Sequence, residues 1–97
     1  MDKFLSIVKE HKLEYIADNC DSLGSKWKEE FLTKEAVASS CSFYPAHHIT
    51  MGEGGAVFTN NSKLKRIAQS IRDWGRDCYC DPGCDNTCKK RFNWQLG

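Results

Sequence analysis

Cys78, Cys80, Cys84 and Cys88 fall within eleven positions of one another, in a tail with few other means of holding a shape. Residues 74–97 carry one Pro, three Gly and four Cys among charged and aromatic side chains. Apolar burial alone does not order such a stretch, so something must staple it. Six cysteines in 97 residues would usually signal a secreted disulfide framework. Here residues 1–10 contain no uninterrupted apolar stretch of the secretory kind, and no run approaches the roughly 20 apolar residues that span a bilayer. A cytoplasmic location is therefore expected. In that compartment metal ligation is favoured over disulfides, with unrelated reduced thiols as the third option.

Fifty-seven residues separate Cys20 from Cys78, one separates Cys78 from Cys80, and seven separate Cys80 from Cys88. This is not the C-x-x-C pairing of a zinc ribbon. Four thiolates, three of them on one irregular loop, suit an iron–sulfur cluster, with zinc as the alternative. Cys41, inside a predicted strand, reads as a small buried apolar residue, and Cys84 as a spare.

Ninety-seven residues make one domain at most. Lys and Arg number 14 against 13 Asp and Glu, a net charge of +1 that argues against a nucleic-acid scaffold. Residues 1–12 place Phe4, Leu5 and Val8 at three- and four-residue spacing, as in an amphipathic helix. Residues 13–17 alternate and run into the polar stretch 18–25, which predicts a strand handing over to a loop. Residues 26–36 read as irregular, 37–43 as a second strand and 56–59 as a third. Asn60, Asn61 or Ser62 then caps a helix with Leu64, Ile67, Ala68 and Ile71 on its apolar face. The expected division is a partial α/β domain over 1–73 and a cysteine-rich loop over 74–97.

Several chemical residues sit between these elements. Asp18 lies at a strand's carboxyl end, where α/β proteins bind ligands, though a turn-capping aspartate is an equal reading. Cys20 and Asp21 share its loop. His47 and His48 occupy the loop 44–55, and on residue type alone a bland surface pair outweighs a base or metal site. The stretch 52–55, Gly-Glu-Gly-Gly, matches neither a dinucleotide fingerprint nor a phosphate loop, and a turn explains its glycines.

The stretch 42–55, SFYPAHHITMGEGG, resembles the cofactor loop of the DegT and StrS type of sugar aminotransferases, which has a lysine where this chain has His47. Together with RDWGRDC at 72–78 and DNTC at 85–88, it resembles the CDP-4-keto-6-deoxyglucose 3-dehydrase branch of that family, over nearly the whole chain. The resemblance implies a fragment of the large domain of a fold-type-I pyridoxal-phosphate-dependent transferase. It also implies pyridoxamine 5′-phosphate and a 2Fe-2S cluster as cofactors. By the family pattern Asp18 pairs with the pyridine nitrogen, Asp21 stands beside the cofactor's 3-hydroxyl, Ser42 binds its phosphate, and Cys20, Cys78, Cys80 and Cys88 hold the cluster. A lysine would form a Schiff base, whereas the imidazole of His47 cannot and acts instead as the base at the cofactor's 4′ carbon.

The implied substrate is a CDP-4-keto-6-deoxyhexose in dideoxysugar and lipopolysaccharide biosynthesis. The implied partner is an NADH-dependent flavin and iron–sulfur reductase, and the implied assembly a homodimer. Family members are several times longer, so this chain is expected to be an incomplete piece. Two other readings stand beside this one: a plain sugar aminotransferase, which the missing lysine at 47 opposes, and a non-catalytic metal-binding relict.

Overall fold

The structure is a computed structural model that describes residues 1–81, 83, 84 and 86–95. Asp85, from the motif ending in Cys88, lies outside the described residues, as do Pro82, Leu96 and Gly97. The chain forms two units, Met1–Asn60 and Asn61–Gly97.

The first unit opens with α1 (Asp2–Glu10), where the predicted amphipathic spacing produces a helix. It ends on Lys12 in the left-handed region, φ 51°. The Lys12 N–H donates back to the Lys9 carbonyl at 3.3 Å, and that of Leu13 to Val8 at 2.8 Å. This pair of bonds satisfies the last carbonyls of a helix. Leu13 is thereby consumed in closing α1, so β1 (Ile16–Asp18) starts later than the alternation of 13–17 suggests. The Phe4 and Tyr15 rings meet edge-on at 5.0 Å, tying the helix to the start of the strand.

Residues 26–36 are not irregular throughout. They contain a hairpin, β2 (Lys26–Trp27) against β3 (Glu30–Phe31), antiparallel with Trp27 opposite Glu30. Its two-residue turn holds Lys28 at φ 49° and Glu29 at φ 65°. Such a turn usually carries Asn-Gly or Asp-Gly, and Lys-Glu gives no such signal, so the hairpin is invisible to sequence reading. External partners hold it in place: Asp2 accepts from Lys28 Nζ at 2.7 Å and from Trp27 Nε1 at 3.1 Å. The Lys28 ammonium, then the Trp27 indole, hold the Asp2 carboxyl below its usual 3.8.

The main sheet runs in the order β1, β4, β5. The central strand β4 (Ala38–Ser42) pairs in parallel with β1, Ile16 opposite Ala38 and Asp18 opposite Ser40. On its other side it pairs antiparallel with β5 (Gly55–Phe58), Cys41 opposite Ala56 and Ser42 opposite Gly55. Burial concentrates on β4, where Ala38, Ser39 and Cys41 are buried, as expected for Cys41. The outer strands keep apolar side chains exposed, Ile16 at 71% and Val57 at 64%. Gly55 is required by close approach, because a Cβ there would sit 2.8 Å from the Cys41 carbonyl oxygen. One helix, five strands and a second helix follow one another along the chain, a mixture of helix and strand in keeping with an α/β class.

The second unit begins with α2 (Ser62–Arg72), capped as expected by Asn61. Its side-chain oxygen accepts from the N–H groups of Lys63 at 3.0 Å and Leu64 at 3.1 Å. Leu64, Ile67 and Ala68 are half-buried, but Ile71, predicted on the same apolar face, is 63% exposed. Beyond α2 the tail is stapled by hydrogen bonds of backbone and side chain instead of a core. The Asp77 N–H donates to the Asn93 carbonyl at 2.7 Å, Asp77 Oδ2 accepts from the Gln95 N–H at 3.0 Å, and Trp94 Nε1 donates to the Trp74 carbonyl at 3.2 Å. These bonds join segment 74–77 to segment 93–95 and close the loop that carries the cysteines. Within it Asn86 Oδ1 accepts from the Arg91 N–H at 3.2 Å.

Replacing Gly55 by Ala is expected to lower stability by about 1–3 kcal/mol in urea unfolding, because a methyl group is forced against the backbone of β4. The Asp2 tie is expected to be present above about pH 4 and lost as the pH falls through the depressed folded value. The Trp27 indole N–H resonance, followed by NMR, should therefore shift with a midpoint below 3.8, the carboxyl's ordinary value.

Candidate functional site

Parallel pairing of β1 with β4 places the carboxyl ends of both strands on one edge of the sheet. That edge is where open α/β sheets offer side chains to ligands. Asp18 ends β1 and Ser42 ends β4. Asp18 Oδ1 accepts from the Ser40 hydroxyl at 2.9 Å, the Cys20 thiol at 2.8 Å and the Cys20 N–H at 3.3 Å. The Cys20 thiol, then the Ser40 hydroxyl, hold the Asp18 carboxyl below its ordinary value. In return the neighbouring Asp18 carboxylate raises the Cys20 thiol above its usual 9.0. An exposed, ionised carboxylate at a strand's end is suited to a cationic ring N–H.

The loops leaving these two strands meet. The Asp21 carboxylate oxygen Oδ1 contacts His47 Nδ1, with the imidazole 18% exposed and the carboxylate 82%. The Tyr44 ring stands edge-on to His47 at 5.8 Å, and the Tyr44 carbonyl accepts from the His47 N–H at 3.0 Å. Ser42 Oγ accepts from the Tyr44 N–H at 3.2 Å and so shapes the first turn of that loop. His48, next along, is exposed. Asp18, Cys20, Asp21, Ser42 and His47 thus all lie in the first unit, on the two loops and strand ends of this edge.

The second unit gathers the tail thiols. The sulfurs of Cys78, Cys80 and Cys88 all lie within 4.8 Å of one another, with Cys78 Sγ and Cys88 Sγ 3.5 Å apart. Each of the three is half-buried, whereas Cys84 is exposed, in line with its reading as a spare. The Thr87 hydroxyl contacts Cys80 Sγ at 3.2 Å and the Cys88 N–H donates to it at 3.3 Å. The Thr87 hydroxyl, then the Cys88 N–H and thiol, bring the Cys80 thiol down to about 7. A soft, partly ionised three-sulfur set is a donor group for iron or zinc. All six cysteines are free.

Four contributors escape sequence reading. Ser40 supports Asp18 only through the parallel register, and Tyr44 reaches His47 only through the turn after β4. Thr87 touches Cys80 across a seven-residue separation, and Asp77 closes the cysteine loop through partners sixteen and eighteen residues away. Of these, Thr87 alone carried a local cue, a hydroxyl residue directly preceding a candidate ligand.

Comparison with known proteins gives a consistent set of relatives. The profile of the DegT/DnrJ/EryC1/StrS aminotransferase family matches residues 1–93. The chain is 52% identical over 96 residues to dTDP-4-dehydro-2,6-dideoxy-D-glucose 3-dehydratase of Saccharopolyspora spinosa, covering 99% of this chain and 21% of that protein. It is 57% identical over 91 residues to the lipopolysaccharide biosynthesis protein RfbH of Salmonella typhimurium, covering 94% of this chain and 21% of the relative. A more distant relative, at 36% identity over 69 residues, is UDP-4-amino-4,6-dideoxy-N-acetyl-beta-L-altrosamine transaminase of Helicobacter pylori, with 71% of this chain and 18% of that protein covered. The chain therefore spans about a fifth of the length of the curated relatives it matches.

In the metal-free chain Cys80 is expected to alkylate first. At pH 7 a thiol of pKa about 7 is half ionised. The gain in thiolate over an ordinary thiol, less the lower nucleophilicity of a weaker base, leaves Cys80 reacting about sixfold faster with iodoacetamide. Peptide mapping of a time course should show Cys80 labelled ahead of Cys20, and Thr87→Val should erase most of that lead.

Proposed function

The chain belongs to the DegT/DnrJ/EryC1/StrS aminotransferase family, and from that premise we propose that it supplies part of the active site of a nucleotide-sugar 3-dehydrase. The substrate is a CDP-linked 4-keto-6-deoxyhexose and the setting dideoxysugar and lipopolysaccharide biosynthesis. The reading is supported by the names of two relatives, one a 3-dehydratase and one a lipopolysaccharide biosynthesis protein. The observation that carries it is the grouping of the Cys78, Cys80 and Cys88 sulfurs. Amino transfer has no use for such a redox-capable donor set.

The residues present fit both cofactors. Asp18, ionised at the end of β1, is suited to the ring nitrogen of pyridoxamine phosphate, Ser42 to the phosphate and Asp21 to the edge that carries the 3-hydroxyl. Cys78, Cys80 and Cys88 supply three soft ligands, and Cys20 is assigned as the fourth from the resemblance to the 3-dehydrase branch. When bound, the pyridoxamine ring supplies an electron sink and the 2Fe-2S cluster single-electron transfer.

The chain's own residues then act around them. His47 would serve as the base toward the 4′ carbon of bound pyridoxamine phosphate, accepting the proton at Nε2, the ring nitrogen away from Asp21. Tyr44 and Asp21 flank the imidazole and limit its rotation. Asp18 keeps the pyridine nitrogen protonated by holding a negative charge beside it. Across the whole reaction the C3–OH becomes C3–H, with two electrons and two protons consumed and one water released. An NADH-dependent flavin and iron–sulfur reductase supplies those electrons. The division into a cofactor-binding part, 1–73, and a cluster loop, 74–97, follows from the same reading, as do a fold-type-I homodimer and a cytoplasmic location. Among the described residues no helix is long and apolar enough to cross a membrane.

The test is anaerobic production with iron and sulfide, followed by the visible spectrum of the chain and of single Cys→Ser variants. A 2Fe-2S spectrum lost on changing Cys20, Cys78, Cys80 or Cys88, and kept in Cys84→Ser, is the expected result. A zinc-bound or colourless product would sink the cluster assignment. In the whole loaded enzyme His47→Asn is expected to lower kcat by about 10²–10⁴-fold, and parallel assays with CDP- and dTDP-linked substrates identify the nucleotide.

A further inference from the structure

The net charge of +1 conceals a segregation. Residues 61–97 hold eight Lys and Arg (Lys63, Lys65, Arg66, Arg72, Arg76, Lys89, Lys90 and Arg91) against four Asp, whereas residues 1–60 hold the remaining six against nine Asp and Glu. The unit that bears the thiol group is thus at +4 and the other at −3. Helix α2 contributes four of these cations and no acid. Lys89, Lys90 and Arg91 follow Cys88 directly. Two of the cations are held against the cysteine loop. Tyr79, between Cys78 and Cys80, has a ring 60% exposed, with the Arg66 guanidinium 5.3 Å from its centroid and the Lys90 ammonium 5.8 Å away. Cation–π contacts of this kind hold a charge in place without neutralising it. The structure therefore presents an exposed aromatic with a cation from α2 and another from the far arm of the loop, in the same short segment as two candidate ligands.

We propose that this Arg66–Tyr79–Lys90 surface is the docking site for the acidic face of a one-electron donor protein. The inference rests on the redox reading of the thiol group. The overall reaction consumes two electrons, which an iron–sulfur centre takes up one at a time: the donor loses one electron, the centre gains it, and the event occurs twice per turnover. Electron transfer needs close approach, so the donor must reach the loop that carries the sulfurs, and that loop is framed by cations. Charge complementarity fixes the orientation of such short-lived encounters and raises their on-rate, with an effect that salt screens. A small, polar, weak interface is the usual form for redox partners.

The experiment uses a plant-type 2Fe-2S ferredoxin, a strongly acidic one-electron donor, as the probe. Its binding to the chain is measured by calorimetry at about 20 mM and about 500 mM NaCl, the second being high enough to shrink the screening length to a few ångströms. Measurable binding at low salt, lost at high salt and weakened about tenfold or more in Arg66→Glu/Lys90→Glu, is the expected result. The milder Arg66→Gln/Lys90→Gln pair should fall between. Lys26, which makes the same kind of contact with Phe31 in the first unit, is the control, and Lys26→Glu should leave binding unchanged. Equal loss in the control, no binding at low salt, or tighter binding of a single-stranded DNA 12-mer that displaces the ferredoxin would each overturn the proposal. Binding needs no cluster. A chain that binds ferredoxin but takes up no iron would keep this surface and refute the redox reading, and a chain that takes up iron without binding would do the reverse.

Discussion

The parallel pairing of β1 with β4 is the interaction on which the candidate cofactor edge depends. Asp18 opposite Ser40 is one register position of that pairing, and it brings the hydroxyl of one strand onto the carboxylate of the other. A slip of one residue would turn every side chain of β1 to the opposite face and leave Asp18 without that support. β4 holds its register from both sides, with β5 paired across it and Gly55 admitting the close approach of Cys41. Because both strands end on the same edge, their following loops emerge together, and Asp21 and His47 come into contact from loops 26 residues apart in sequence.

The two units solve the ordering problem differently. In the first, a short sheet buries small residues on β4, while Ile16 and Val57 on its flanking strands stay exposed. In the second, the tail has too few apolar residues for a core and is closed by hydrogen bonds between its ends, one between main chains and two through the Asp77 carboxylate and the Trp94 indole. That closure holds three thiols together without a disulfide, and Thr87 and the Cys88 N–H favour the ionised form of one of them. Thiolates held close repel one another, so the same arrangement that costs electrostatic energy when metal-free gains it when a cation binds.

The family assignment joins these two devices. The relatives include a 3-dehydratase that matches 99% of the chain and a transaminase that matches 71% of it, so membership of the family alone does not choose between the chemistries. The choice turns on His47 and the thiol group, features of side-chain chemistry and not of fold. The charge segregation between the two units adds a third feature that the near-neutral total conceals.

Much was legible in the sequence because it depends on local spacing and residue type. The two helices follow from apolar periodicity and an Asn cap, and the central strand from its small and β-compatible residues. The candidate ligands Cys78, Cys80 and Cys88 follow from their crowding in a tail without a core, and the interest of His47 and Asp18 from the loops they occupy. What tertiary structure alone decided depends on which strand lies beside which and on how loops close. The Lys-Glu hairpin turn violates the usual turn chemistry and is held by Asp2 from 25 residues away. Ser40, Tyr44 and Thr87 acquire their roles from neighbours brought near by register and turn geometry. Periodicity reports which face of an element is apolar, but it carries no information about what that face, or the end of that strand, will meet.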